Sequence, residues 1–291
     1  MMRSLWLAAI VVAALALGTA RAEETVSLAG LKVTVWEPAG SSSGEKRPVI
    51  IFSHGFHGCG TQSSFLMTAL AADGYVVFAP NHADATCHGG AARWRDPAEV
   101  SFGRPDRWTP STYHRRFDDI RHLVAALKQD PRWAPGLDLA RIGLVGHSLG
   151  GYTVLALAGA WPGQKLDGVK AVLALSPYAQ AFLAHDTLGG LGVPVMYQGG
   201  SRDLGITPAV KRPGGAYDRS PAPKYFVEFT GAGHLAWTDL RRDLQPAITA
   251  SSIAFLDHYV KSASANPLLT HAGDGVATLR YASELGTSGA R

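Results

Sequence analysis

Gly146-His147-Ser148-Leu149-Gly150 sets a serine between two apolar stretches, Arg141 to Val145 and Gly151 to Ala160. The first reads as a buried strand and the second, Ala-rich and free of proline, as a helix. Ser148 then falls on a tight strand-to-helix turn with its hydroxyl exposed, and the glycines are there because side chains would crowd that turn. The alternative for such a serine is a plain helix N-cap. A serine hydroxyl is a poor nucleophile near neutral pH. It needs a general base, an acid to orient that base, and donors for the oxyanion.

After an elbow of this kind the expected chain order is serine, acid, histidine. Asp203 follows the strand-like run Val195 to Gly200 by three residues and is the first candidate for the acid. Asp186 sits in the preceding loop, and Asp167 precedes a strand, on the wrong edge of the sheet. For the base, His234 ends Gly231-Ala232-Gly233-His234, a loop just past the run Lys224 to Phe229, from which an imidazole can reach the elbow. His258 falls in a terminal helix and His271 in the tail. His147, inside the elbow, is directed by its backbone position to packing. One oxyanion donor is the Leu149 N–H at the helix start. The second is expected from the turn Ser53-His54-Gly55-Phe56-His57-Gly58, with the Phe56 N–H first and His57 second. Each donor is worth roughly a hundred- to a thousandfold in rate.

The elements that must position these groups alternate. Leu31 to Glu37 reads as a half-buried strand, Val49 to Phe52 and Tyr75 to Ala79 as buried strands, and Ser64 to Ala72 as a helix. Asn81 to Thr112 is a long irregular stretch, of the kind that often shapes a binding site. A helix is expected over Thr112 to Gln129. Val169 to Leu175, Pro194 to Gln198 and Lys224 to Phe229 follow as strands, and Asp239 to Val260 as the last helix. Such alternation predicts an α/β fold, a mainly parallel sheet flanked by helices on both faces. Ligands of such sheets bind at the carboxyl ends of the strands, where every candidate above lies.

The 291 residues are 46% hydrophobic and 17% charged, which suits one α/β domain with a substantial core. That domain is expected over 23–291, its core about 31–260 and a polar tail over 261–291. Met1 to Ala22 reads as a signal peptide: Arg3, then the apolar run Leu5 to Leu17, then Ala20-Arg21-Ala22 as the cleavage site. Cleavage after Ala22 leaves a secreted or periplasmic protein with no stable membrane anchor, expected to be a monomer. The small basic excess is scattered, so nucleic-acid binding has no support. In an exported chain Cys59 and Cys87, each shortly beyond one of two neighbouring strands, can form a disulfide; two buried thiols are the alternative. His82, Asp84, Cys87 and His88 crowd one loop, but without C-x-x-C or H-E-x-x-H spacing no metal is expected. No phosphate-cradling loop is present, and no cofactor is indicated.

From Pro48 to about Trp237 the chain resembles the α/β-hydrolase superfamily. The matching stretches are Phe52-Ser53-His54-Gly55-Phe56, Thr61-Gln62-Ser63-Ser64, Gly146 to Gly151, Gly200-Ser201-Arg202-Asp203 and Gly233-His234. It looks closest to exported dienelactone-hydrolase-like esterases, among them platelet-activating-factor-acetylhydrolase-like proteins and polyester-hydrolysing cutinases. The resemblance implies Ser148 as nucleophile, Asp203 as acid, His234 as base, and a small-molecule or polymeric ester as substrate. True dienelactone hydrolases carry cysteine at the elbow, which Ser148 argues against. Platelet-activating-factor acetylhydrolases place the acid after the strand beyond the elbow helix, where this chain has Ser176-Pro177-Tyr178. The acid therefore shifts to Asp203, as in the cutinase-like branch. An aromatic of that branch falls near Tyr178, which by resemblance lines the acyl site. An acyltransferase with the same triad and a non-catalytic binding protein on the same scaffold are the alternatives.

Overall fold

The computed structural model describes residues 19–40, 44–87, 92–283 and 288–290. The charged and apolar parts of the expected leader, and His88, lie outside the described residues. Ten strands form one sheet: β1 (Glu24–Leu28), β2 (Leu31–Trp36), β3 (Arg47–Ser53), β4 (Val76–Pro80), β5 (Leu137–His147), β6 (Val169–Leu175), β7 (Val195–Gly200), β8 (Lys224–Phe229), β9 (Val276–Ala282) and β10 (Ser288–Ala290). Their spatial order is β1-β2-β4-β3-β5-β6-β7-β8-β9-β10. The strands from β4 across to β8 are mutually parallel, and antiparallel pairs close both ends.

The central strands are mainly apolar because both faces are covered, and alternate residues serve different layers. Val49 and Ile51 of β3 point to the side of α2 (His114–Leu127) and α3 (Leu149–Leu155). Ile50 and Phe52 point to the side of α1 (Ser64–Ala72) and α7 (Gln245–Val260). Shorter helices, α4 (Gln180–His185), α5 (Thr207–Lys211) and α6 (Ala216–Arg219), lie between the later strands. Among the described residues no helix is long and apolar enough to cross a membrane.

Beyond shifts of a few residues at strand and helix ends, three departures from the sequence expectation have a structural cause. The helix after the elbow ends at Leu155, and a wider turn over Ala156–Ala160 follows. There Gly159 takes φ +116°, and a Cβ would meet Gly190 O at 2.4 Å. The last helix begins at Gln245 rather than Asp239. Asp239 instead turns its carboxylate to the Ser64 and Phe65 N–H groups, capping α1 from a distant loop. The tail carries β9, paired with β8, although it read as weakly structured. β9 has a single fully buried side chain, Leu279, so its sequence lacks the apolar alternation that marks a strand.

Candidate active site

Four adjacent strands, β5 to β8, end on the same edge of the sheet. Ser148 follows β5 at φ +55°, ψ −114°, a backbone conformation that a side chain rarely adopts. Its N–H bonds Leu175 O at 3.0 Å, and its carbonyl accepts the Tyr178 N–H at 3.0 Å. The flanking glycines are required by contact. A Cβ on Gly146 would lie 2.2 Å from Gly150 O, and one on Gly150 would lie 1.8 Å from Ser53 O of β3. The elbow is pressed against the neighbouring strand, which aims the serine side chain away from the sheet.

His234 opens a short turn over His234–Trp237 that is pinned by its last residue. Trp237 is fully buried, its indole N–H bonds Gln198 Oε1 at 2.9 Å, and its carbonyl accepts the Ser63 hydroxyl at 2.6 Å. This places His234 Nε2 3.0 Å from Ser148 Oγ. Nδ1 lies 3.3 Å from Asp203 Oδ1 and 2.8 Å from Ser176 Oγ. Asp203 Oδ2 accepts the hydroxyls of Ser176 at 2.5 Å and Thr207 at 3.0 Å. Burial alone would raise the Asp203 carboxyl. The contact with His234 and the hydrogen bonds from the Ser176 and Thr207 hydroxyls outweigh it and hold the group below its ordinary value.

The other candidates sit apart. Asp186 is exposed and pairs with Arg219 at 2.7 Å, and Asp167 is exposed just ahead of β6. His258 Nδ1 bonds Ala263 O at 2.8 Å on α7, and His271 Nδ1 lies 2.9 Å from the Thr270 hydroxyl.

His147 does more than pack, contrary to the sequence expectation. Burial pushes its imidazole down to about 3, so it is neutral. The Gly55 N–H donates to Gln62 Oε1 at 3.0 Å, and Gln62 Nε2 donates to His147 Nδ1 at 3.0 Å. His147 Nε2–H then donates to His234 O at 2.9 Å. One chain of hydrogen bonds thus ties the turn after β3, the elbow and the His234 turn. No short-range pattern announces it, because Gln62 and His147 are 85 residues apart.

Leu149 is the first residue of α3, and its N–H has no intrahelical acceptor. In the turn after β3, the His57 N–H already faces Asp84 Oδ2 at 3.4 Å. Among the described residues the Phe56 N–H donates to no protein acceptor. Arg116, buried on α2, clamps this turn: it donates to His54 O at 2.7 Å and Gly55 O at 3.3 Å, and pairs with Asp84 at 2.7 Å. Burial would raise the Asp84 carboxyl, but the Arg116 guanidinium holds it far below the usual carboxylate range. Arg116→Leu is expected to destabilise the protein by about 3–5 kcal/mol, since it strands a half-buried carboxylate. Urea unfolding of the variant measures it, and a change under about 1 kcal/mol would show that the clamp is idle.

A second serine–histidine pair lies behind the turn. Ser53 Oγ is 2.9 Å from His82 Nε2, and His82 Nδ1 is 2.8 Å from Asp119. This pair has the atoms of a nucleophile and its base. Ser53 is fully buried and His82 is 2% exposed, so no substrate reaches the hydroxyl in this conformation. Burial, then the charge of Arg116, keeps His82 well below its ordinary value and neutral.

Of the residues weighed as metal ligands, His82 and Asp84 are engaged as just described, and Cys87 is bonded to Cys59 with Cα atoms 5.9 Å apart. The disulfide joins the turn after β3 to the loop after β4. Reducing it is expected to lower stability by about 2–4 kcal/mol and to loosen the turn that carries Phe56. Intact mass and activity, followed together through a dithiothreitol titration, test this. Full activity and an unchanged melting point in reduced protein would sink it.

Ser148, Asp203 and His234 border a cleft of about 980 Å³. Tyr178 and Phe102 wall it, the Tyr178 hydroxyl donating to Phe102 O at 2.7 Å, so the tyrosine presents its ring rather than a free hydroxyl. Trp94, Leu204, Leu235 and Leu240, the large apolar side chains exposed among the described residues, also border it. Trp94 and Phe102 come from the long irregular stretch after β4. The sequence model of the alpha/beta hydrolase family matches residues 50–282. No curated protein matches the chain.

Proposed function

The chain belongs to the alpha/beta hydrolase family, and from that premise and the cleft's geometry we propose that it is a serine carboxylic ester hydrolase. The observation that carries this reading is the 3.0 Å contact of Ser148 Oγ with His234 Nε2 in an apolar cleft. In the proposed reaction Ser148 Oγ attacks the ester carbonyl carbon as its proton passes to His234 Nε2. Asp203 keeps the imidazole in the tautomer with hydrogen on Nδ1 and stabilises the imidazolium. The N–H groups of Leu149 and Phe56 meet the developing oxyanion. Collapse expels the alcohol, which takes the proton from Nε2, and leaves Ser148 acylated. Water repeats the sequence and releases the acid.

The apolar rim favours esters with apolar acyl or aryl parts, small or polymeric. Within the family we propose kinship with the exported dienelactone-hydrolase-like and cutinase-like esterases, on the serine at the elbow and a carboxylate after β7. We propose too that the leader is removed after Ala22 and that residues 23–291 act as one monomeric domain in the periplasm or outside the cell. The leader pattern and the Cys59–Cys87 bond support export.

An organophosphonate probe, with peptide mass mapping and a panel of aryl, alkyl and polyester substrates, tests the reading. The adduct is expected on Ser148, with turnover lost in step. An adduct on Ser53, or turnover that survives complete labelling of Ser148, would overturn it.

A further inference from the structure

Each of four neighbouring strands ends near one polar member of this cluster: Ser148 after β5, Ser176 after β6, Asp203 after β7 and His234 after β8. Three of them have parts in the proposed reaction. Ser176 has none so far, yet its Oγ lies 2.8 Å from His234 Nδ1, closer than Asp203 Oδ1 at 3.3 Å. The direction of each bond follows from donor counting. Ser148 donates to Nε2, so the proton of the neutral imidazole sits on Nδ1 and must find an acceptor. Ser176 Oγ is that acceptor, and its own hydrogen goes to Asp203 Oδ2 at 2.5 Å.

Ser176 is fully buried, so bulk water does not compete for these bonds. Its backbone is held at φ +42°, where a residue with a side chain is strained, by an N–H bond to Gln198 O at 2.8 Å. The other titratable ring against His234, His147 at 5.0 Å, is neutral, and its two nitrogens are bonded to Gln62 and to the His234 backbone carbonyl, not to the His234 ring.

We propose that Ser176 is a positioning residue of this site: its hydroxyl bridges His234 to Asp203, accepting Nδ1–H and donating to the carboxylate. The proposal rests on the esterase reading for its kinetic consequence only. When Nε2 takes the serine proton, the Nδ1–H bond becomes charge-assisted, and the hydroxyl shares with Asp203 the task of stabilising the imidazolium.

Ser176→Ala removes the bridge. Ser176→Gly, which suits a positive φ, carries the same loss if alanine unsettles the turn. Kinetics on a chromogenic aryl ester are expected to show kcat lowered about ten- to a hundredfold, the worth of one hydrogen bond to a charged group, with KM little changed. Separately, proton–nitrogen NMR of the histidine-labelled protein, without substrate, reads the His234 Nδ1–H directly. That resonance is expected far downfield in the native protein, and shifted upfield or lost to exchange in the variants. A kcat near the native value in a folded variant, or a resonance that does not move, overturns the proposal. Ester cleavage that survives Ser148→Ala would overturn the esterase reading instead, while the resonance still decides what holds the imidazole.

Discussion

Ser148→Ala is expected to lower ester turnover by about a millionfold, the loss typical of a removed triad nucleophile. The substitution deletes one oxygen and leaves Cβ in place, so the φ of +55° and the backbone bonds to Leu175 and Tyr178 are untouched. Stability should therefore stay within about 0.5 kcal/mol of the native protein, as for a change that disturbs no packing. What disappears is the only atom of residue 148 that meets His234 Nε2, at 3.0 Å. Initial rates on a chromogenic ester, alongside a thermal melt, test both halves. Activity near the native level in a folded variant would remove Ser148 from the reaction.

Asp203→Asn is expected to lower turnover by roughly ten-thousandfold, the loss a wrong histidine tautomer causes in a serine triad. The geometry here supplies the reason. The hydroxyls of Ser176 and Thr207 both donate to Oδ2, and the Thr207 oxygen is itself bound by the Gly200 N–H at 2.9 Å. Those donors hold the oxygen of an introduced amide in the Oδ2 position. The amide nitrogen then occupies the place of Oδ1 and turns a donor on His234 Nδ1, which forces the imidazole hydrogen to Nε2. His234 can no longer accept the serine proton. Asp186→Asn, by contrast, should leave turnover within about twofold, since that carboxylate is exposed and pairs with Arg219. A crippled Asp186→Asn beside an active Asp203→Asn would reverse the assignment.

Much of the frame was legible because it rests on local pattern. β6 and β8 have the bounds read from their apolar runs, and α1 has the bounds read from its composition. The run before Ser148 and the glycines around it marked the elbow, since both are short-range demands of one turn. Asp203 and His234 stood out by following apolar runs in a chain whose alternation implies parallel strands, so that their loops share one edge of the sheet. β9 was not legible, because a strand with one buried side chain carries no alternation to read. Neither was the start of α7, because Asp239 had its use in capping a helix 175 residues earlier.

The sequence by itself determined the α/β alternation, the elbow at Ser148 and the order of residues that could follow it. Tertiary structure alone decided how those residues are held. Strand order set β6 between β5 and β7, and so brought Ser176 to 2.8 Å from an imidazole 58 residues away. Helix α2 brought Arg116 under the turn after β3, where Asp84 takes the His57 N–H and, among the described residues, the Phe56 N–H has no protein acceptor. The same packing linked Gln62 and His147 to the backbone of His234. Each of these is a hydrogen bond between residues distant in sequence, whose strength falls steeply with distance and angle. Composition and spacing state which groups exist, and only the folded sheet sets the distances over which they act.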